Sequence, residues 1–272
     1  VGDNAAQIEF WNGPSAQKWV ARQDELDQSL AQVTEALYAA AAVKAGERVL
    51  DVGCGCGTPT LELARRSGAP CAGIDISAPM LAVARSRAGS NLRFVEADAS
   101  AYAFVTKFDV AFSRFGVMFF ADPVAAFKNI HGALHPGGRL VFSCFRALVE
   151  NAWSRVPLDA AGDLVTVKPS DPNAPGPYAF ADGARLRDIL TRAGFHDIHI
   201  DRLDCEMHMG KTIDEAVERS LQFGPLGRLA AELTPEGRAQ VAARVGAALS
   251  KYYREPTGID VGMAVWIVKA RA

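Results

Sequence analysis

The stretch Arg48–Thr60, Arg-Val-Leu-Asp-Val-Gly-Cys-Gly-Cys-Gly-Thr-Pro-Thr, limits what this chain can fold into more than any other. Val49, Leu50 and Val52 read as a short buried strand, Gly53, Gly55 and Gly57 as a tight turn, and Thr60 to Arg66 as the first turns of a helix. A strand, a glycine turn and a helix start together hold a polar, partly anionic small molecule against backbone N–H groups. Glycine suits such a turn because it tolerates positive φ and lets a ligand approach the backbone. The spacing narrows the ligand. A dinucleotide loop is Gly-x-Gly-x-x-Gly, and here Thr58 stands where its third glycine belongs. No Gly-Lys-Ser/Thr follows, which excludes a Walker loop.

From Val49 onward strand and helix patterns alternate, the sign of a mostly parallel sheet with helices on both faces. Pro70–Ile74, Leu92–Glu96, Phe108–Ser113 and Arg139–Phe145 read as the next four strands. Ser77 with Pro79, and Asp122 with Pro123, open the helices between them. Further on, helices are expected over Glu150–Ala160, Asp182–Ala193 and Thr212–Gln222, the last ending at Gly224-Pro225, and another begins at Pro235. His196–Leu203 and Val261–Lys269 complete a seven-stranded sheet. Two helices, Ser15–Arg22 and Asp24–Val43, precede it. The expected organisation is an N-terminal helical cap over 1–44 and an α/β core over 45–146, 182–204 and 259–272. Helical lid insertions over 147–181 and 205–258 interrupt that core. Pro169, Pro172, Pro175 and Pro177 mark an irregular loop in the first insertion.

Ligands of open parallel sheets bind outside the carboxyl ends of the strands. Here the first strand ends in Asp51 and the glycines, the second in Asp75, the third in Glu96-Ala97-Asp98-Ala99 and the fourth in Ser113-Arg114-Phe115. One edge thus collects an anion cradle, a ribose-reading carboxylate, an amine-reading carboxylate and an aromatic rim. Asp75 and Asp98 also read as simple turn or N-cap residues. In combination the motifs Val-Leu-Asp-Val-Gly-Cys-Gly-Cys-Gly, Gly-Ile-Asp-Ile-Ser, Glu-Ala-Asp-Ala and Leu-His-Pro-Gly-Gly-Arg-Leu are specific. Over Arg48–Phe145 the chain resembles a class I S-adenosylmethionine-dependent methyltransferase of the group acting on small molecules.

The resemblance implies a Rossmann-like core, S-adenosylmethionine as cofactor and S-adenosylhomocysteine as product. It places Gly53, Gly55 and Gly57 against the methionyl part, with Asp51 nearby. Asp75 would take the ribose hydroxyls, Ile76 would pack on the adenine, and Asp98 with the Ala99 backbone would read the adenine edge. Ser113 is counted with these residues. So are Trp11 and Trp19, which either staple the N-terminal segment to the core or form a water-excluding lid.

Composition removes other classes. With 29 basic and 31 acidic residues and no block of like charge, the chain lacks the clustered cations of a nucleic-acid binder. No run approaches the roughly 18 apolar residues of a membrane span, and the polar start Val1–Gln7 does not read as a signal peptide. The five scattered cysteines read as reduced thiols of a cytoplasmic protein. Cys54 and Cys56 lack the usual zinc-ligand spacing, so no metal is expected.

Methyl transfer from a sulfonium needs alignment and exclusion of water, and a base only for a weakly acidic nucleophile. His196, His199 and His208 are the candidate bases, although strand histidines are more often structural. For the acceptor, Arg114, Phe115 and Met118 at the fourth strand end are expected to meet Trp153, Tyr178 and Phe180 of the insertions, with Phe223. These aromatics either form the insertions' own core or line an apolar pocket for an aromatic or lipid-like acceptor. A non-catalytic cofactor-binding protein and an aminopropyl transferase on the same fold are the alternatives.

Overall fold

The computed structural model describes residues 4–167 and 171–272. Val1–Asp3 of the polar start and Pro169 of the proline-rich loop therefore lie outside the described residues. The N-terminal segment comprises α1 (Ala5–Asn12), α2 (Pro14–Ala21), α3 (Gln23–Ser29) and α4 (Ala31–Ala41). Two helices were expected here. The apolar pattern of Asp24–Val43 runs through Leu30, but the backbone leaves helical geometry there (φ −99°, ψ 7°). This separates α3 from α4. The short α1 has no side-chain cap to announce it.

Next come β1 (Val49–Val52), α5 (Thr58–Ser67), β2 (Cys71–Asp75), α6 (Ala78–Ser86), β3 (Leu92–Glu96) and β4 (Phe108–Arg114). A 3-10 turn at Val117–Phe119 leads to α7 (Pro123–Ala133) and β5 (Leu134–Phe145). The rest of the chain forms α8 (Ala152–Ala161), α9 (Gly183–Arg192), β6 (His196–Gly210), α10 (Ile213–Ser220), α11 (Gly224–Ala230), α12 (Pro235–Leu249), β7 (Tyr253–Arg254) and β8 (Gly258–Arg271). Gly224-Pro225, expected only to end a helix, also starts α11, because proline fits the first helical turn.

The sheet order is β3-β2-β1-β4-β5-β8-β6, with β7 paired to the start of β8. The expected seven strands are all present, and the two-residue β7 is an eighth. β1 to β5 run parallel, whereas β8 is antiparallel to both β5 and β6. Neighbouring residues of a strand face opposite sides, so ring contacts fix the layers. Phe112 of β4 stacks with Tyr38 of α4, while Phe142 of β5 packs on Phe127 of α7. Phe112 pairs with Val141, which places Phe142 on the other face. Helices therefore cover both sides of a core in which every residue of β1 is buried.

Length differences position the site. β5 meets β8 only up to the pair Phe145 and Val265, whereas β6 and β8 continue together to Gly210 and Ile259. The β6–β8 ribbon thus rises past the carboxyl ends of the parallel strands; α8 and α10 pack against it, and α12 packs on these two helices.

Candidate functional site at the carboxyl edge of the sheet

The glycine turn is tied to its neighbours through the backbone. The Gly53 and Cys54 N–H groups donate to the Ile74 carbonyl at 2.8 and 3.2 Å. A Cβ on Gly53 (φ +69°) would lie 2.6 Å from the Gly116 Cα, so glycine there lets the turns after β1 and β4 touch. Gly55 differs. It too has positive φ (+53°), but its Cβ would meet only the Met80 sulfur, at 3.6 Å, which leaves its α-carbon accessible to a ligand. Gly57 caps α5.

Asp51 does not face outward. It is 1 % exposed and accepts a hydrogen bond from the Thr60 hydroxyl at 2.6 Å, pinning the first turn of α5. Burial pushes its pKa up to about 7, against the opposing pull of Thr60 and of the Arg114 charge. The half-buried Asp75 accepts from the Gly55 N–H through one carboxylate oxygen and from the Ser77 N–H through the other, both at 2.8 Å. Burial raises its pKa, opposed by the backbone donors of Ser77, Gly55 and Ile76. One carboxylate so joins the glycine turn to the start of α6. Asp98 likewise closes its own turn by accepting from the Ser100 N–H at 2.8 Å. The Ala99 carbonyl accepts from Asn129, and Ser113 Oγ accepts from the Gly116 N–H. Burial pushes the Cys56 thiol up to about 11, and the buried Cys54 thiol is also raised. Among the described residues no group of three or more His, Cys, Asp or Glu is placed to hold a metal.

The N-terminal helices latch onto three of these strand ends. Asn12 donates to the Ile76 carbonyl and accepts from the Ala78 N–H, both at 2.9 Å. Asp27 pairs with Arg114 at 2.6 Å and also receives Gln23, whose amide reaches Thr58 beside the glycine turn. Thr34 accepts a second bond from Arg114. Trp11 meets Phe119 edge-on at 5.4 Å and Trp19 at 5.9 Å, and Trp19 meets Phe223 at 5.8 Å. A cleft of about 490 Å³ lies between the α2–α3 corner and Val83 and Arg87. Arg87 reaches from it to the Cys56 carbonyl and to Thr58.

Local patterns missed Asn12, Gln23 and Asp27 because their partners are distant in sequence. Asp27 and Arg114 are 87 positions apart. The engagement of Arg114 also answers one expectation: its guanidinium is held by Asp27 and Thr34 within the chain.

Beyond β4 and β5 lies a second aromatic group. Phe115 (φ +64°) stacks on Phe145 at 4.4 Å, and Phe145 meets Trp153 at 5.5 Å and Tyr178 at 6.0 Å. Buried Met118 ties this region to the first insertion by accepting from the Gly176 N–H. Phe180 instead packs on Phe127 in the α7 layer, as core.

The histidines separate by register. Exposed His196 lies opposite Arg271, level with Arg139 at the far end of β5, and exposed His199 lies opposite Lys269, level with Val141. The structure does not bring either to the carboxyl edge. His208 sits on the projecting ribbon, its Nδ1 2.9 Å from the Asp260 carboxylate.

A family model described as a methyltransferase domain matches residues 49–138. A demethylmenaquinone methyltransferase of Thermus thermophilus is 44% identical over 103 residues, 36% of this chain and 47% of that protein. The chain thus spans about half the length of this curated relative. A demethylmenaquinone methyltransferase of Corynebacterium kroppenstedtii is 32% identical over 165 residues, 57% of this chain and 70% of that protein. The YcgJ protein of Bacillus subtilis superposes with a TM-score of 0.57 over 90% of this chain and 97% of its own, at 16% identity, and so shares the fold. With five parallel and two antiparallel long strands, a glycine turn and carboxylates at successive strand ends beside these matches, the chain belongs to the class I S-adenosylmethionine-dependent methyltransferases.

Proposed function

We propose that this chain moves a methyl group from S-adenosylmethionine to a small-molecule acceptor that carries an apolar, ring-bearing body. The observation that carries this reading is the alignment of Gly55, Asp75 and Asp98 at three adjacent strand ends beneath a latched aromatic cap. These residues fit the cofactor chemically. An accessible glycine α-carbon admits a charged amino-acid tail, Asp75 keeps lone pairs for ribose hydroxyls, and Asp98 with the Ala99 backbone can meet an adenine edge. Ile76 and Ser113 line the same edge, and Trp11 and Trp19 would exclude water above it.

Bound S-adenosylmethionine supplies an electrophilic methyl carbon on a sulfonium whose leaving group is neutral. The residues of this chain align the acceptor and exclude water, which can account for roughly 7 to 11 kcal/mol of barrier lowering in well-oriented reactions. Phe115, Met118, Trp153 and Tyr178 form the acceptor side. The two insertions, 147–181 and 205–258, act as its lid. His208, oriented through Nδ1 by Asp260, is the base for a weakly acidic nucleophile. Phe180 supports the wall from behind. The partner is a small molecule rather than nucleic acid, in a cytoplasmic setting that suits five free thiols.

The test is incubation with methyl-labelled S-adenosylmethionine and a panel of hydroxylated aromatic and lipid-like acceptors, with label expected in an acceptor. Aminopropyl transfer from the decarboxylated cofactor, or cofactor binding without transfer to any acceptor, would favour the other two readings. Asp75→Ala should weaken cofactor binding by roughly 1.5 to 3 kcal/mol, the scale of hydrogen bonds to a charged group. Unchanged affinity in a folded variant, by calorimetry, removes Asp75 from the site.

A further inference from the structure

We propose that the hydroxyls of Tyr178 and Ser154 form the recognition end of the acceptor site and take a neutral oxygen of a ring-bearing acceptor. This deepens the methyl-transfer reading and rests on it. Tyr178 reaches the aromatic group of Phe115, Phe145 and Trp153 at the ends of β4 and β5. Its hydroxyl is buried, as is that of Ser154, a residue only 3 % exposed, and among the described residues neither hydroxyl has a hydrogen-bond partner within bonding geometry. The two adjoin. Burial pushes the Tyr178 pKa up to about 12, and the adjoining Ser154 side chain pulls the other way.

Such an arrangement is unfavourable for folding alone. A buried polar group without a partner is destabilising, and native interiors rarely keep one. Phenylalanine and alanine would fill the same space without that cost. A neighbouring residue shows what structural polar burial looks like here. Asn151 is fully buried and donates to the Arg146 and Ala147 carbonyls while accepting from Trp153 Nε1 and the Ala264 N–H. Tyr178 and Ser154 differ from it in keeping their hydrogen-bonding capacity for a ligand.

The chemistry of that ligand follows from the charge of its surroundings. Tyr178 stays protonated across physiological pH and so donates as a neutral group. The terminal guanidinium nitrogens of Arg146, at the end of β5, are held by Asp204 and Glu150. A neutral hydroxyl or carbonyl oxygen on a planar ring matches this end, and a phosphate or carboxylate does not. A tyrosine donating to an oxygen draws on its lone pair, so the recognised oxygen positions the ring and is distinct from the methylated atom.

Calorimetric titration of the protein saturated with S-adenosylhomocysteine tests this with three probes: 1-naphthol, the near-isosteric 1-methylnaphthalene and 1-naphthyl phosphate. The unmodified protein should bind 1-naphthol about five- to tenfold tighter than either of the others, the scale of one net hydrogen bond. Tyr178→Phe and Ser154→Ala should each shrink the preference over 1-methylnaphthalene to within about twofold, the residue of a lost hydrogen bond. Thermal melting supplies a second readout. Tyr178→Phe should leave the Tm unchanged or raise it, whereas a fall of several degrees would assign the hydroxyl a structural partner and overturn the proposal. Failure to bind S-adenosylhomocysteine would remove the methyl-transfer reading and this inference together. Intact binding of S-adenosylhomocysteine with 1-naphthol bound no tighter than 1-methylnaphthalene, or not bound, would overturn this inference alone.

Discussion

The two halves of the carboxyl edge are built from different materials. On the proposed cofactor side the shape is made by backbone: Gly53 touches Gly116, Asp75 and Asp98 each accept backbone N–H groups, and Asp51 is bonded to Thr60. On the proposed acceptor side the shape is made by side chains, with stacked rings and two hydroxyls that have no hydrogen-bond partner among the described residues. A backbone-made site is rigid and tolerates little change, because moving one turn moves its neighbours. A side-chain-made site can change its ligand by single substitutions while the sheet beneath stays the same. The difference suits a chain whose donor is fixed by its family and whose acceptor is not.

The largest effect should come from breaking the backbone side. Gly53→Ala would place a Cβ 2.6 Å from the Gly116 Cα at a residue with φ +69°. Left-handed strain and overpacking together predict a loss of about 2 to 5 kcal/mol in stability, measured by urea denaturation. Gly137→Ala is the control. Its φ is +77°, but nothing lies within 4 Å of the added atom, so it should cost only about 1 to 2 kcal/mol. Equal losses in the two variants would mean that the close approach of the turns after β1 and β4 contributes nothing.

The same contrast explains what the sequence made readable. Backbone devices leave local signatures: Val49–Val52 reads as a strand, the alternating glycines as a turn, and Ser77 and Asp122 as caps that the structure bears out. Their partners lie on adjoining strands of one repeated pattern, so strand-end carboxylates can be placed without coordinates. The antiparallel β8 and β6 were readable as strands, but not the distance by which they outrun β5, because length mismatch is a property of pairing. The seam was least readable. Asp27 looks like one more polar position on a short helix until the fold brings Arg114 to it, and Ser154 looks like a helix-surface serine until Gly224 and Trp153 close over that region. His196 and His199 share a strand with His208, and only the register separates them.

A middle-sized effect should appear at that seam. Asp27 and Arg114 are 16 % and 12 % exposed, and their contact links the N-terminal cap to the end of β4. Asp27→Ala leaves a cation with little solvent, so a loss of about 1 to 3 kcal/mol is expected, between the exposed and fully buried cases. Arg114→Met should cost less than the sum implies when combined with Asp27→Ala, giving a coupling of about 0.5 to 3 kcal/mol in a double-mutant cycle. Additive losses would separate the cap from the cofactor side and leave the aromatic contacts of Trp11 and Trp19 as the link that matters.

The last effect is a slope rather than a loss. Asp51 has its pKa raised by burial from 3.8 to about 7 in the folded chain. Between those values the folded chain holds a proton that the unfolded chain has released. Stability therefore falls as pH rises through this window and levels off above it. Asp51→Asn keeps an acceptor for the Thr60 hydroxyl and cannot titrate, so the variant should lack this component. Urea midpoints of both proteins, taken at several pH values across the window, should converge at its acid end and diverge toward its upper end, with the variant gaining. Parallel profiles would mean that Asp51 is solvated well enough to ionise normally, and the cofactor side would then be as open beneath the glycine turn as the acceptor side is closed.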